Sequence, residues 1–259
     1  GPGIGGVMAR FGLSAPFFAA AGFSLIILVL VYLFLPESLP PDKQVGRAGK
    51  LQTVDLGQLW RALFSPIGYL LFLAFLLSFA LTNFEAIFGL YALRRYGYGA
   101  EQVGMIMTVV GLTSALVQSI LTGPATRRWG EVRVIRFSLA LSALGFAAML
   151  SAVSLPTVLL TTALFVFGNA MLRPAVSSLI SKRSHLSQGI AMGLNNSYMS
   201  LGRIAGPIAA GALLDLALFL PYLTGALLMF VGLLSSFPGF AETTRQPAAA
   251  SKADASVKS

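Results

Sequence analysis

Cysteine is absent from this 259-residue sequence and histidine occurs once, at His185. Disulfides, Cys-ligated zinc and thiolate chemistry are thereby excluded, and one histidine cannot build a His-Glu-x-x-His metal site or a His-based acid–base pair. No cofactor or metal is called for, and no enzyme chemistry is expected. Charge is scarce too: 10% of residues are Asp, Glu, Lys or Arg, where a soluble domain carries about 25%. Of the charged residues, 18 are basic and nine acidic. Such a balance can signal nucleic acid, but here the Lys and Arg sit in short connections between apolar runs and build no continuous patch. Nucleic-acid binding is therefore not expected.

What fills the sequence instead is apolar. Hydrophobic residues make up 56% and the mean hydropathy is +0.80, more than the core of a soluble domain of this size requires, so the solvent must be lipid. Runs of the length needed to cross a bilayer, about 20 residues, recur along the chain, which a cleaved signal peptide does not explain. The uncharged segment 14–35 reads as one span, with Pro16 tolerable in a first helical turn. It ends at Leu35-Pro36-Glu37-Ser38, and Pro40-Pro41 keeps the helix from resuming. Within 55–64, Leu56, Leu59, Trp60 and Leu63 recur at helical spacing, as in an amphipathic surface helix or an extension of the next span. Further spans are expected at 66–93, 102–126, 132–153, 156–180, 188–214 and from 216 or 217 to 237. Gly123-Pro124 closes the third of these seven, Ser154-Leu155-Pro156-Thr157 makes a tight turn, and Pro238-Gly239 stops the last. An Ala-, Ser- and Lys-rich tail, 240–259, reads as disordered. Because backbone polar groups in lipid need internal partners, the spans must be bundled helices, and their length excludes a barrel. The expected class is an all-α polytopic membrane protein.

Orientation follows from the basic residues. Alternate connections and the tail hold 13 of the 18, namely Lys43, Arg47, Lys50 and Arg61, then Arg127, Arg128, Arg133 and Arg136, then Lys182 and Arg183, and finally Arg245, Lys252 and Lys258. The opposite side has Arg10, Arg94 and Arg95. The positive-inside rule puts the 36–65 linker and the C-terminus in the cytoplasm of a cell membrane.

The opening Gly1-Pro2-Gly3-Ile4-Gly5-Gly6 has an echo at Gly206-Pro207-Ile208-Ala209-Ala210-Gly211, each followed by an apolar helix that ends near a proline. Internal repeats on this scale are a known build for secondary transporters, in which two halves surround a site near the membrane midplane. At these residues the sequence resembles the major facilitator superfamily, specifically its drug:proton antiporters. Gly1, Pro2, Gly5 and Gly6 look like the end of that group's fifth-helix motif, and Leu35-Pro36-Glu37-Ser38 like the entry to its central cytoplasmic loop. Gly123-Pro124-Ala125-Thr126-Arg127-Arg128-Trp129-Gly130 resembles the second-half copy of the family's loop motif, and Gly202-Arg203-Ile204-Ala205-Gly206-Pro207 the Gly-Pro motif of its eleventh helix. The resemblance implies a major facilitator-type bundle holding the end of helix 5, helix 6 and helices 7–12. Residues 1–35 would then close an N-terminal bundle, 36–65 form the linker and 66–239 a C-terminal six-helix bundle, with helices one to four outside the chain. One departure is that Arg127 stands where the loop motif usually has an acid, with Glu131 as an alternative partner for Arg128 or Arg133.

Three charges fall within spans away from their ends. Glu85 is the acidic residue well inside one, and a carboxylate there is costly unless protonated, paired or facing water, which makes it the candidate proton carrier. Arg203 near the middle of its helix needs a carboxylate, backbone carbonyls or water, and pairing with Glu85 is one candidate. Arg173, before Pro174, either lines a cavity or snorkels toward the cytoplasm. Gly202, Gly206 and Gly211 with Pro207 permit close helix approach and a kink. Phe84, Phe88, Tyr91, Phe165, Phe167 and Met171 are candidates for an adaptable apolar wall. Asn83, Asn169, Asn195, Asn196 and Gln118 are candidates for polar groups in a cavity or between helices. The resemblance implies a secondary active transporter for small amphipathic compounds, exchanging them for protons across a lipid bilayer. An uptake symporter or a sugar or metabolite exporter of the same fold, or a chain inactive without the remaining N-terminal helices, are the alternatives.

Overall fold

The computed structural model describes residues 8, 11–12, 14–35, 56–184, 186 and 188–257, with side chains of 56, 58–60 and 241–257 outside that description. Gly1, Pro2, Gly5 and Gly6 and most of the 36–65 linker fall outside it. Among the described residues every regular element is helical, and seven helices are long and apolar enough to cross a membrane. In lipid this follows from the backbone, whose N–H and C=O groups find partners only within a helix or a closed barrel.

Helix α1 (Ala15–Phe34) begins with Pro16 in its first turn and buries none of its residues. Helix α2 (Leu56–Leu63) is a short element of its own. The break after it is sharp: Gly68 N–H donates to Ser65 O at 2.8 Å, and a Cβ on Gly68 would fall 1.7 Å from the Leu63 carbonyl oxygen. Helix α3 (Gly68–Tyr96) ends in a left-handed cap at Gly97, φ +70°, with Gly97 N–H on Leu93 O at 3.0 Å and Tyr98 N–H on Ala92 O at 3.2 Å.

The next span corrects the sequence expectation. Helix α4 (Ala100–Leu116) passes into a π-helical turn, Val117–Leu121, and on into α5 (Thr122–Trp129), so Gly123-Pro124 lies inside the helix and makes no turn. Proline lacks a donor and its ring crowds the carbonyl four residues back. For Pro124 that carbonyl belongs to Ile120, inside the wide π turn, where both defects are absorbed. The reversal comes at Gly130 instead, whose φ of +79° suits a residue without Cβ. Helices α6 (Glu131–Met149) and α7 (Leu155–Arg183) follow, the second capped by Ser154 and Thr157 with Pro156 in its first turn. Helix α8 (Gln188–Leu216) carries Pro207 internally, and α9 starts at Leu220. The sequence expectation ends α9 at Phe237 and leaves 240–259 disordered, whereas the helix runs on to Val257. A proline costs an interior helix one hydrogen bond and a bend without forbidding it, and the alanines that follow are strong helix formers.

Helices α3 and α7 form the centre of the bundle. Burial covers 67% of the apolar window of α3 and 50% of that of α7, against 17% for the α4–α5 span and 28% for α8. Helix α8 lies along α3, α6 along α7, and α9 covers α6 and α3. Lipid tails are as apolar as leucine, so such contacts hold by close packing, for which small residues are the means. At α6–α7, a Cβ on Gly145 would fall 2.5 Å from the Phe165 backbone, and one on Gly168 2.8 Å from the Ser138 carbonyl oxygen. At α3–α8, Gly202 and Gly206 do the same against residues 75–83.

Candidate functional site

Alternation between buried and exposed residues on α3 sorts the candidates. Asn83, Phe84, Ile87 and Phe88 point into the bundle, while Glu85, Ala86 and Leu90 lie exposed on the opposite side. Glu85 follows Thr82 by three residues and precedes Gly89 by four, so the three share a helix face. Thr82 sits against α8, where its Oγ1 donates to Gly202 O at 3.3 Å, and Gly89 sits against Val103 of α4. Glu85 therefore opens onto the side of the bundle between α4 and α8, the two elements with the barest apolar windows after α1.

The same sorting on α8 produces a polar stripe. Asn195, Tyr198, Met199, Gly202 and Gly206 are buried, and Asn196, Ser200, Arg203 and Pro207 are exposed along one line of the helix. Pro207 also leaves the Arg203 carbonyl without its intrahelical donor. On α7, Arg173 is exposed between buried Leu172 and half-buried Pro174, and Gln118 is exposed in the π turn. Neither Glu85, Arg173 nor Arg203 has a hydrogen-bond or ion-pair partner among the described residues. Amide and guanidinium groups are costly against hydrocarbon, so a face carrying them belongs against water or protein.

The proposed Glu85–Arg203 pair does not form. Gly202 meets α3 near residues 75–79 and Gly206 near 79–83, so the helices run parallel and Arg203 stands level with about residue 78. Glu85 lies about seven residues further along, roughly 10 Å at the helical rise.

All six residues expected to line a substrate cavity are buried in the bundle interior: Asn83, Phe84, Phe88, Asn169, Met171 and Asn195. The rings pack on one another, with Phe84–Phe88 at 4.9 Å, Phe84–Phe165 at 5.4 Å and Phe146–Phe165 at 4.2 Å between centroids. The amides tie helices together: Asn83 Nδ2 donates to Pro221 O at 3.0 Å, Asn169 Nδ2 to Leu77 O at 3.4 Å and Asn195 Nδ2 to Ser177 Oγ at 3.3 Å. They are core and cross-links. Phe167, half-buried, and Asn196 and Gln118, exposed, are the members of the wider set that reach the surface.

Around the loop motif, Gly123, Arg127 and Arg128 are exposed, and Gly130 joins α5 to α6 by donating to Thr126 O at 2.9 Å and accepting from Val134 N–H at 3.2 Å. Glu131 takes neither Arg128 nor Arg133 as its partner. It pairs with Lys182 and accepts from Ser178 Oγ at 3.2 Å, linking the first turn of α6 to the last turns of α7. Nearby, Arg136 donates to Ser236 Oγ and to Ser236 O, both at 3.2 Å, and lies 4.4 Å over the Phe237 ring. Sequence reasoning missed Thr82, Gly145, Gly168 and the π turn. Small residues at crossings have a weak signal in spacing alone, and nothing in the sequence marks a π turn except the nearby proline.

Comparison with known proteins places this geometry. The pattern of the Major Facilitator Superfamily matches residues 70–259. "Multidrug resistance protein 1" of Bacillus subtilis is 32% identical over 236 residues, covering 90% of this chain and 59% of that protein. "Quinolone resistance protein NorA" of Staphylococcus aureus is 28% identical over 222 residues, covering 85% of this chain and 56% of that protein. The chain thus spans under two-thirds of the length of these relatives. Among solved structures, the human organic anion transporter MFSD10 (TETRAN) superposes with a TM-score of 0.64 over 86% of this chain and 57% of that one, at 23% identity, a likeness of fold.

Proposed function

The chain belongs to the Major Facilitator Superfamily, and on that premise we propose that the protein exports small amphipathic compounds in exchange for protons. The names of the relatives, a multidrug resistance protein and a quinolone resistance protein, support drug efflux as the direction and class of transport. The observation that carries the proton coupling is Glu85. Its carboxylate lies within a membrane-length helix, exposed on the face between α4 and α8 and without a partner among the described residues, while its neighbours Asn83 and Phe84 are buried.

In this reading the bare sides of the α4–α5 span and α8, with their Asn196–Ser200–Arg203 stripe, meet a second bundle across a water-accessible cleft. The cleft opens alternately to the two sides of the membrane. Facing the outside, Glu85 takes up a proton and becomes neutral; facing the cytoplasm, it releases the proton and substrate enters. Arg203 and Arg173 add positive charge to the exposed sides of α8 and α7. The basic connections support a cytoplasmic position for the α5–α6 and α7–α8 turns and the C-terminus.

The test is Glu85→Gln in the full-length transporter reconstituted in liposomes. Dye efflux driven by an imposed pH gradient is expected to be abolished, while exchange of labelled for unlabelled substrate across a gradient-free membrane persists. Gradient-driven efflux at the wild-type rate would remove Glu85 from the coupling, and gradient-driven accumulation in the opposite sense would make the protein a symporter.

A further inference from the structure

Where α3 ends and α7 and α9 begin, four tyrosines gather. Tyr91 and Tyr222 lie 4.3 Å apart between ring centroids with planes tilted by 52°, Tyr91 and Tyr96 meet edge to face at 5.9 Å, and Tyr96 and Tyr98 stack at 5.1 Å. Tyr96 Oη donates to Ala152 O at 2.9 Å, which ties the end of α3 to the α6–α7 turn. Beneath this lid lies a cavity of about 10 Å³ whose walls include Phe88, Tyr91, Met149, Val158, Thr162 and Tyr222.

Two of those wall residues have an unanswered polar group. Thr162 is 0% exposed and Tyr222 1% exposed, and neither the Thr162 Oγ1 nor the Tyr222 Oη has a hydrogen-bond partner among the described residues. Threonine in a helix ordinarily satisfies its hydroxyl on a carbonyl three or four residues back, as Thr161 does on Thr157 O at 2.8 Å. Thr162 does not. Buried hydroxyls without partners are costly in any protein interior, and in a bundle surrounded by lipid no bulk water can relieve them. Of the other hydroxyls in the wall, Tyr96 Oη already donates to Ala152 O and Thr161 Oγ1 to Thr157 O, and Tyr91 completes the set beside aromatic and aliphatic side chains. A cavity on the order of 10–15 Å³ is the smallest that holds one water, and a buried water requires at least two polar partners. Both conditions are met here.

We propose that the cavity is a binding site for a single water molecule, which bridges Thr162 Oγ1 on α7 to Tyr222 Oη on α9 across the end of α3. The water completes the hydrogen bonding of both hydroxyls and joins two helices through the tyrosine cluster. This end of the bundle is thereby held as one unit, which suits a half that moves as a rigid body against another. The inference rests on the fold and is independent of the proton-coupling role of Glu85.

Thr162→Val and Tyr222→Phe test it, singly and together, in the purified full-length protein. Each removes a hydroxyl while keeping shape, and Tyr222→Phe preserves the ring contact with Tyr91. With a bridging water, each single change leaves it short of a partner and lowers Tm by about 2–4 °C. The double variant then loses no more than the larger single loss, because the two sites share one ligand. Without the water, each change deletes an uncompensated hydroxyl, and Tm stays level or rises. A second readout uses fast hydroxyl-radical footprinting, which generates radicals from waters bound inside a protein: Tyr222 is expected to be modified despite its burial, and less so in Thr162→Val. Raised or unchanged Tm in the single variants, additive losses in the double, or an unmodified Tyr222 each overturn the proposal.

Discussion

The crossing of α3 and α8 yields a quantitative prediction at Gly206. A methyl group there would stand 2.3 Å from Thr82 Oγ1, 2.8 Å from the Phe79 carbonyl oxygen and 3.0 Å from the Asn83 nitrogen. Thr82 can rotate away, at the expense of its bond to Gly202 O at 3.3 Å, a loss of about 0.6 kcal/mol for a hydrogen bond between membrane helices. The other two atoms are backbone, so relief requires the helices to separate by roughly half an ångström. A gap of that size forfeits a quarter to a half of each dispersion contact along the crossing, and overpacking of this kind costs about 1–3 kcal/mol. Replacing a mid-helix glycine by alanine returns up to about 1 kcal/mol of backbone entropy. The net expectation for Gly206→Ala is a loss of about 1–2 kcal/mol, read as a fall in Tm of roughly 2–8 °C. The control is Gly211→Ala on the same helix, where an added Cβ meets nothing within 4 Å. That variant keeps the entropy gain without the clash and is expected to be neutral or stabilised. Thermal unfolding of the purified variants, followed by loss of the monodisperse species on gel filtration, measures both. The reasoning is refuted if Gly206→Ala is as stable as Gly211→Ala.

Gly130→Ala forces a side chain into a backbone conformation with φ +79° at the α5–α6 reversal; a loss of about 1–2 kcal/mol is expected, visible as a lower midpoint in the same unfolding assay, with substrate exchange retained in the cold. Lys182→Cys, in a 259-residue sequence that otherwise has no cysteine, is expected to react with a membrane-impermeant maleimide only after the cells are opened; labelling of intact cells would reverse the proposed orientation.

Much of the fold was legible because the bilayer demands long apolar helices and charged or Pro- and Gly-rich connections. The span from Gln188 and the turn at Ser154 fall where hydropathy and local chemistry place them. Azimuth was not legible. A membrane helix is apolar on every side, so periodicity does not tell core from lipid, and Phe84 and Phe88 read equally well as cavity wall or interior. Packing settled them as interior, where they complete an aromatic column with Phe165 and Phe146. Charge was more informative, since Glu85, Arg173 and Arg203 each face away from the core. Their relative heights were not, because the register of α3 against α8 is set by Gly202 and Gly206 seating on the backbone of α3, a three-dimensional fit that spacing does not encode. Likewise Glu131 has basic neighbours in sequence at Arg128 and Arg133, yet helix packing brings it Lys182 from the end of α7. The π turn before Pro124 stands for the same limit, since proline marks a defect without saying whether the chain turns or widens.

The central claim is that a carboxylate on the face between α4 and α8 exchanges protons for substrate. Its most direct measurement is proton movement itself, recorded with a pH-sensitive dye sealed in liposomes that contain the full-length protein, when a lipophilic cationic substrate is added at zero membrane potential. The account predicts that protons and substrate move in opposite directions in the wild type, and that Glu85→Gln binds the substrate but moves no protons. Substrate flux without any pH change in the wild type, or an undiminished proton signal in Glu85→Gln, would contradict it.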